Sequence, residues 1–201
     1  MKINNLAFIT IILLNSMIIA GCGSTRISGN SNENIPLISG YTCCNLRSEG
    51  DWISELNYIK WGMIPLGTPA SVTEYGRYRS HVNLGGKPMR IGQDYTRNSL
   101  SLEQYIRRII VPDNPNIKLA TFPKEVQNAI KLGKVMKGMT KEQVIMSVGY
   151  PLTEENPTMD APLWRMWIDS FSEYQLLWNE NGQIKDIVTD PVTKSLIVYQ
   201  K

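Results

Sequence analysis

The sequence predicts an α+β fold, in which a β-rich module precedes a unit of two helices and a three-stranded antiparallel sheet. Three observations lead to this prediction. Two segments that alternate apolar and polar residues flank a Gly-Gly pair, which is typical of a β-hairpin. Two helix-capping boxes lie further along the chain. An Asn-Gly pair then separates two more strand-like segments, which indicates a second hairpin.

The N-terminus has the pattern of an export signal. Lys2 precedes a mostly apolar run from Leu6 to Ala20, which is too short for a comfortable membrane span. The run ends in Ile19-Ala20-Gly21-Cys22, which resembles the lipobox of bacterial lipoproteins. That resemblance implies that residues 1–21 are removed and that Cys22 carries a diacylglycerol thioether as the mature N-terminus. The alternatives are an ordinary signal peptide and an N-terminal anchor with a chance cysteine.

The residues after the lipobox suggest a location. Gly23 stands where Asp usually signals retention in the inner membrane, so the lipobox resemblance implies an outer-membrane protein that faces the periplasm. Residues 22–39 are rich in Gly, Ser and Asn, which predicts a flexible tether between the lipid and the folded body.

Composition limits the partners. A formal net charge of +3 over 201 residues argues against non-specific nucleic-acid binding. A hydrophobic content of 42% is enough to build one large core or two small ones. Basic residues dominate the middle of the chain and acidic residues dominate its C-terminal part. This asymmetry fits two solvated faces or a basic surface that faces lipid head groups or an acidic partner.

Two adjacent cysteines, Cys43 and Cys44, remain in the mature chain. They allow three outcomes in an oxidising compartment: two reduced buried thiols, a disulfide between neighbours, or one thiol exposed for exchange. We favour buried thiols, because free cysteine behaves as a small hydrophobic residue.

Residues 40–118 are predicted to form the β-rich module with a C-terminal helix. Strands are expected at 70–77, 79–84 and 87–92, with Gly85-Gly86 as the turn between the last two. The order of a Gly-Thr-Pro loop, a strand, a kink at Gly76, a second strand and a Gly-Gly hairpin resembles bacterial SH3-like small barrels.

A helix is expected to start at Ser101, where Gln104 completes a capping box. Leu102, Tyr105 and Ile106 begin its apolar stripe. The Pro- and Asn-rich segment 111–116 ends this helix and marks the expected boundary between the two parts of the chain.

Residues 119–201 are predicted to form the second unit. A helix should begin near Pro123 and another at Thr140, where Gln143 completes a capping box. Three strands are expected at 163–168, 173–178 and 184–189, with Asn181-Gly182 as the last turn and a possible fourth strand at 196–199.

This second unit resembles the SmpA/OmlA (BamE-like) family of outer-membrane lipoproteins. The residues that carry the resemblance are Gly133-Lys134-Val135, Gly138-Met139-Thr140-x-x-Gln143-Val144, Gly149-x-Pro151 and the strand at Trp164. The resemblance covers about residues 123–190 and implies two helices on a three-stranded antiparallel sheet. It is compatible with a scaffold that assists outer-membrane assembly or envelope integrity, but it does not imply membership of the β-barrel assembly complex. Met166-Trp167 departs from the family's Trp-x-Tyr strand, and the segment before residue 120 lies outside the family pattern.

No catalytic pattern stands out. His81 is the only histidine and is expected on a strand surface, and Glu154-Glu155 and Asp160 are expected in a solvated loop. The glycines at 85, 86 and 92 do not form a phosphate-binding motif. We therefore expect no enzyme, no metal site and no cofactor.

Trp164 and Trp167 are the candidate partner-binding residues. Positions of opposite parity on one strand point to opposite faces, so both cannot be core in a regular strand. One of them should lie on the open face of the sheet, where an aromatic side chain can anchor a partner, unless another part of the chain covers it.

These observations favour a lipid-anchored interaction or scaffold protein of the bacterial envelope. Its partners would be outer-membrane or periplasmic proteins and, through the lipid, the membrane itself, but no nucleic acid. The alternative is a ligand- or cell-wall-binding lipoprotein that acts through an SH3-like N-terminal module.

Overall fold

The computed structural model describes residues 37–95 and 99–200. The expected signal peptide, the lipidation site Cys22 and most of the expected tether lie outside these ranges. Within them, no helix combines the length and the apolar character needed to cross a membrane.

The strands are β1 (Ser39–Thr42), β2 (Leu46–Ser48), β3 (Trp52–Ser54), β4 (Gly62–Ile64), β5 (Pro69–Tyr75), β6 (Arg79–Leu84), β7 (Lys87–Gly92), β8 (Ile110–Val111), β9 (Leu163–Trp167), β10 (Glu173–Trp178) and β11 (Ile184–Val188). The helices are α1 (Leu102–Ile109), α2 (Asn116–Leu119), α3 (Lys124–Lys131), α4 (Lys141–Val148) and α5 (Pro191–Ile197).

The first part of the chain forms a curled six-stranded sheet in the order β3-β7-β6-β5-β1-β8. Neighbouring strands are antiparallel except β3 and β7, which run parallel. The predicted hairpin is confirmed, with strands at Arg79–Leu84 and Lys87–Gly92. Gly85 and Gly86 both have positive φ, at 58° and 87°, as a two-residue hairpin turn of this type requires.

Helix α1 packs one face against this sheet. Its predicted capping box is confirmed: the Ser101 hydroxyl accepts from the Gln104 N–H, and the Gln104 side chain accepts from the Ser101 N–H. Four of its side chains are buried, at Leu102, Tyr105, Ile106 and Ile109.

The second part places helices α3 and α4 beside the three-stranded antiparallel sheet β11-β10-β9. Both helices begin where the sequence predicted, after Pro123 and after Thr140. The Thr140 and Gln143 capping box is formed. The mixed α+β class and the three-stranded antiparallel sheet are therefore confirmed.

The prediction of a fourth strand at 196–199 is wrong. The Asp190 carboxylate accepts from the N–H groups of Val192 and Thr193 and caps helix α5 at its N-terminus. The helix ends before Val198, which makes only an isolated parallel bridge to Val135.

The described chain has two hydrophobic clusters. One lies under the six-stranded sheet and the other lies between the three-stranded sheet and its helices. Leu66 belongs to the second cluster although its chain segment is part of the first module. Ile145 of α4 packs against both clusters. The two modules therefore share a buried boundary.

Asn45 supplies the polar part of that boundary. Its side-chain Nδ2 donates to the carbonyl oxygens of Ile130 at 2.6 Å and Ser147 at 2.9 Å. Its Oδ1 accepts from the Leu66 N–H at 3.0 Å, and its own N–H donates to Met146 O. A buried amide with these partners is satisfied, which avoids the cost of an unpaired polar group.

Asn57 makes a second connection. Its Nδ2 donates to Val148 O at 2.8 Å, and its Oδ1 accepts from the Arg47 N–H at 2.7 Å. The Asn57 amide lies directly over Gly149, where a Cβ atom would approach Nδ2 to 2.6 Å. Gly149 also has φ +85°, so glycine suits this position both for backbone conformation and for space.

Candidate functional site

A groove of about 880 Å³ lies between the two modules. We call it the junction groove. Its volume lies within the range of about 300 to 1,000 Å³ that is typical of ligand-binding sites. The lining residues are Cys43, Val111, Asp113, Asn114, Pro115, Ile117, Lys118, Thr121, Lys141, Glu142, Ile145, Met146, Tyr150, Met159, Asp160 and Trp164.

The surface of the groove is mostly apolar. Ile145 and Met146 of α4 line the groove, and so does Val111 of β8, the edge strand of the six-stranded sheet. Ile117 of the single-turn helix α2 also lines the groove and is 74% exposed, whereas its neighbour Leu119 is buried and ties α2 to the second cluster. The exposed Ile117 side chain is therefore available for contact with an apolar group of a partner in the groove.

The rim carries charges of both signs. Lys118 and Glu142 form an ion pair at 2.8 Å that joins α2 to α4. Lys141 donates from Nζ to Met159 O at 2.6 Å and lies 5.6 Å from the ring centre of Trp164. These lysines are therefore engaged by the protein itself, and carboxylates at Asp113 and Asp160 add negative charge to the same rim.

Cys43 and Cys44 are joined by a disulfide bond. The favoured prediction of two reduced thiols is thus wrong, although both residues are buried as expected. Burial does not prevent pairing here, because adjacent residues hold their sulfur atoms close together. Cys43 lines the junction groove, while Cys44 is fully buried in the first cluster.

Tyr150 lies where the groove meets the first module. Burial raises the pKa of its phenol, an effect that the nearby Arg108 partly opposes. The Arg108 guanidinium lies 5.6 Å from the Tyr150 ring centre. The Tyr150 side chain therefore lines the groove as a neutral phenol, with the Arg108 guanidinium near its ring.

The structure separates the two candidate tryptophans. Trp164 is fully buried, packs edge-on against Trp178 at 4.7 Å between ring centres, and donates from Nε1 to Met159 O at 3.2 Å. Of the two candidates, Trp164 is therefore the core residue, since its ring fills the second cluster and only borders the groove. Trp167 is half-buried on the opposite face of β9, as the parity argument predicts.

The remaining sequence candidates do not come together. His81 is exposed on β6, opposite Glu74 and Arg90 on the adjacent strands. Glu154 is exposed and accepts from Ser99 at 2.8 Å, away from Asp160 at the groove. Across residues 37–95 and 99–200, no group of three or more His, Cys, Asp or Glu side chains is arranged to hold a metal ion.

Sequence reasoning did not identify the junction groove. Ile117 and Met146 are functional candidates only because the fold brings α2 against α4, and neither carries a motif. The apolar residue in the polar segment after Pro115 gave no signal, because single exposed apolar residues are common on protein surfaces.

Comparison of the chain with protein-family models, with curated protein sequences and with solved structures finds no match.

Proposed function

We propose that this chain is a lipid-anchored, non-enzymatic interaction protein of the bacterial envelope, and that the junction groove holds an apolar polypeptide segment of its partner. The observation that carries the proposal is the groove itself: about 880 Å³, mostly apolar, and lined from both modules. Binding at such a boundary would use the whole protein, with neither module alone supplying the complete site.

The charges at the rim favour a polypeptide over an anionic lipid. The rim holds three carboxylates, Asp113, Glu142 and Asp160, against two lysines, Lys118 and Lys141. This excess of one negative charge disfavours an anionic head group. A peptide segment with apolar side chains and free backbone N–H groups would meet apolar walls and hydrogen-bond acceptors.

The proposed class of partner is an outer-membrane or periplasmic protein. The lipobox resemblance at Cys22 and the BamE-like pattern in residues 123–190 support this class from two unrelated parts of the chain. We propose a BamE-like fold for the second module, supported by helices α3 and α4 on a three-stranded antiparallel sheet. Helix α5 is an addition to that pattern.

We propose an SH3-like fold for the first module, because it has a curled sheet and a Gly-Gly hairpin. The parallel pairing of β3 with β7 is a departure from a simple antiparallel barrel. The alternative function is binding of a ligand or the cell wall through the first module. The cavity described in the next subsection is a different kind of site, because residues of both modules line it.

The test is a pair of matched charge substitutions in the full lipidated chain. Ile117→Asp puts a carboxylate into the groove at a side chain that is 74% exposed, and Val192→Asp does the same on α5 at one that is 71% exposed. Both variants should fold normally, as measured by circular dichroism and thermal unfolding. Ile117→Asp should abolish co-purification of envelope proteins after crosslinking, and Val192→Asp should retain it.

The proposal fails if both variants retain the same partners. It also fails if both lose them while folded, because the loss would then be unrelated to the groove.

A further inference from the structure

A second, smaller cavity lies on the surface around Trp167. It has a volume of about 180 Å³ and we call it the aromatic cleft. This volume is below the roughly 300–1,000 Å³ of sites for drug-sized ligands, so the cleft suits a single small ring. The lining residues are Leu56, Tyr58, Tyr95, Leu152, Glu155, Trp167 and Ser170.

Aromatic rings from three separate chain segments meet in this cleft. Tyr95, which follows β7, is 61% exposed. Trp167, at the end of β9, is half-buried. Tyr58 lies buried beside them, 4.9 Å from Trp61 between ring centres. Tyr95 and Trp167 are accessible, and the buried Tyr58 lines the same cleft. A flat ligand face can stack on such accessible aromatic rings.

Polar groups stand beside these rings. Glu155 accepts from the Trp167 Nε1–H at 2.7 Å through Oε2, which orients both the indole and the carboxylate. The Tyr58 hydroxyl shares a hydrogen bond with Ser170, and burial raises the pKa of Tyr58 so that it stays protonated. The cleft therefore offers a carboxylate, a serine hydroxyl and a phenol around an aromatic wall.

We propose that the aromatic cleft binds a neutral saccharide, with one pyranose ring stacked on Trp167 and Tyr95. The C–H face of a pyranose is apolar and packs on an aromatic ring, while its equatorial hydroxyls need acceptors and donors at the ring's edge. Glu155 and Ser170, which line the same cleft, can supply an acceptor and a hydroxyl for these groups. The cleft combines aromatic rings with polar groups in a small volume. A sugar can use both, whereas an aliphatic chain would leave the polar groups without partners.

The charges near the cleft argue against anionic ligands. Glu155 lies within it and Asp169 is adjacent to Ser170 in the turn after β9. Asp169 is ionised at neutral pH, because hydrogen bonds, the largest from the Phe171 N–H, lower its pKa. Lys60, whose Nζ lies 5.7 Å from the Tyr58 ring centre, offsets one of these two charges. The remaining negative charge disfavours a phosphate or a nucleic-acid backbone.

This inference is independent of the junction groove. The two cavities share no lining residue, so each can fail without the other. In an envelope protein, a saccharide site would let the chain bind a glycan while the junction groove binds a protein segment.

The test measures binding of three soluble trisaccharides to the detergent-solubilised full chain by titration calorimetry. The probes are chitotriose, cellotriose and maltotriose, which differ in linkage and in acetamido groups. We expect millimolar or tighter binding of at least one. Tyr95→Ala and Trp167→Ala should each weaken that binding about tenfold or more, which corresponds to the loss of one stacking contact.

Phe171→Ala is the matched control, because this ring is 95% exposed and lies outside the cleft lining. It should leave saccharide affinity unchanged, and so should Ile117→Asp in the junction groove. Trp167→Phe keeps an aromatic face and should retain more affinity than Trp167→Ala, which separates stacking from a loss of folding.

Failure of all three trisaccharides to bind the wild-type chain would overturn the proposal. Binding that is unaffected by Tyr95→Ala and Trp167→Ala would also overturn it, as would equal weakening by Phe171→Ala.

Discussion

The side-chain amide of Asn45 donates a 2.6 Å hydrogen bond to the carbonyl oxygen of Ile130, 85 residues further along the chain. This bond joins the strand-rich first module to helix α3 of the second. Asn45 is 1% exposed, so no water can replace the bond when it is lost. The relative position of the two modules, and with it the junction groove, depends on contacts of this kind.

Replacing Asn45 by alanine should lower the free energy of unfolding by about 3 kcal/mol, since two backbone groups lose a buried partner at about 1–3 kcal/mol each. These groups are the Ser147 carbonyl and the Leu66 N–H, whereas the Ile130 carbonyl keeps the Gly133 N–H as a partner. Urea unfolding followed by tryptophan fluorescence measures the change. Asn181→Ala, at an exposed turn, is the control and should change stability by less than about 0.5 kcal/mol. Equal midpoints for both variants would show that the Asn45 network contributes nothing.

Thr140→Ala should lower the free energy of unfolding by about 1 kcal/mol, because the N-cap hydroxyl that accepts from the Gln143 N–H is removed. Thr140→Ser keeps the hydroxyl and should recover most of the loss. Thermal unfolding of the two variants provides the measurement. If serine and alanine destabilise the protein equally, the contribution of Thr140 comes from its methyl group and not from the cap.

The disulfide between Cys43 and Cys44 has a direct chemical test. The protein isolated without reductant, then unfolded, should take up no thiol-specific alkylating reagent at these residues. Its intact mass should be lower than that of the reduced chain by the mass of two hydrogen atoms. Uptake of two alkyl groups by the unreduced, unfolded protein would restore the prediction of two buried thiols.

Lipidation of Cys22 is a prediction from the sequence alone. Mass spectrometry of the mature N-terminal peptide should show a diacylglycerol thioether on Cys22, and metabolic labelling with palmitate should mark the protein. Cys22→Ala should leave an unprocessed precursor or an unanchored chain. A mature protein that begins at another residue without acyl groups would contradict this prediction and remove the basis for the outer-membrane assignment.

Local signals in the sequence predicted much of the fold. The capping residues Ser101 and Thr140, and the turn at Gly85-Gly86, identify elements because they act on backbone groups within a few residues. The helix α5 was missed although Asp190-Pro191 is a strong helix start, since the β-branched residues that follow suggested a strand.

The site could not be read in the same way. The junction groove exists because Asn45 and Leu66 bring the first module against α3 and α4, and such contacts join residues far apart in the chain. Parity along β9 did predict that Trp164 and Trp167 face opposite sides, but it could not say which was buried. The aromatic cleft likewise needs Tyr95 and Trp167 from different modules.

The most direct measurement of the central claim is site-specific photocrosslinking in intact cells. A photoreactive phenylalanine analogue is placed at position 117 in the junction groove, and at position 192 on α5 as a control of similar exposure. The account predicts a discrete adduct with one envelope protein from position 117, mapped to an apolar segment of that protein, and none from position 192. Absence of any adduct at position 117, or the same adducts from both positions, would contradict it.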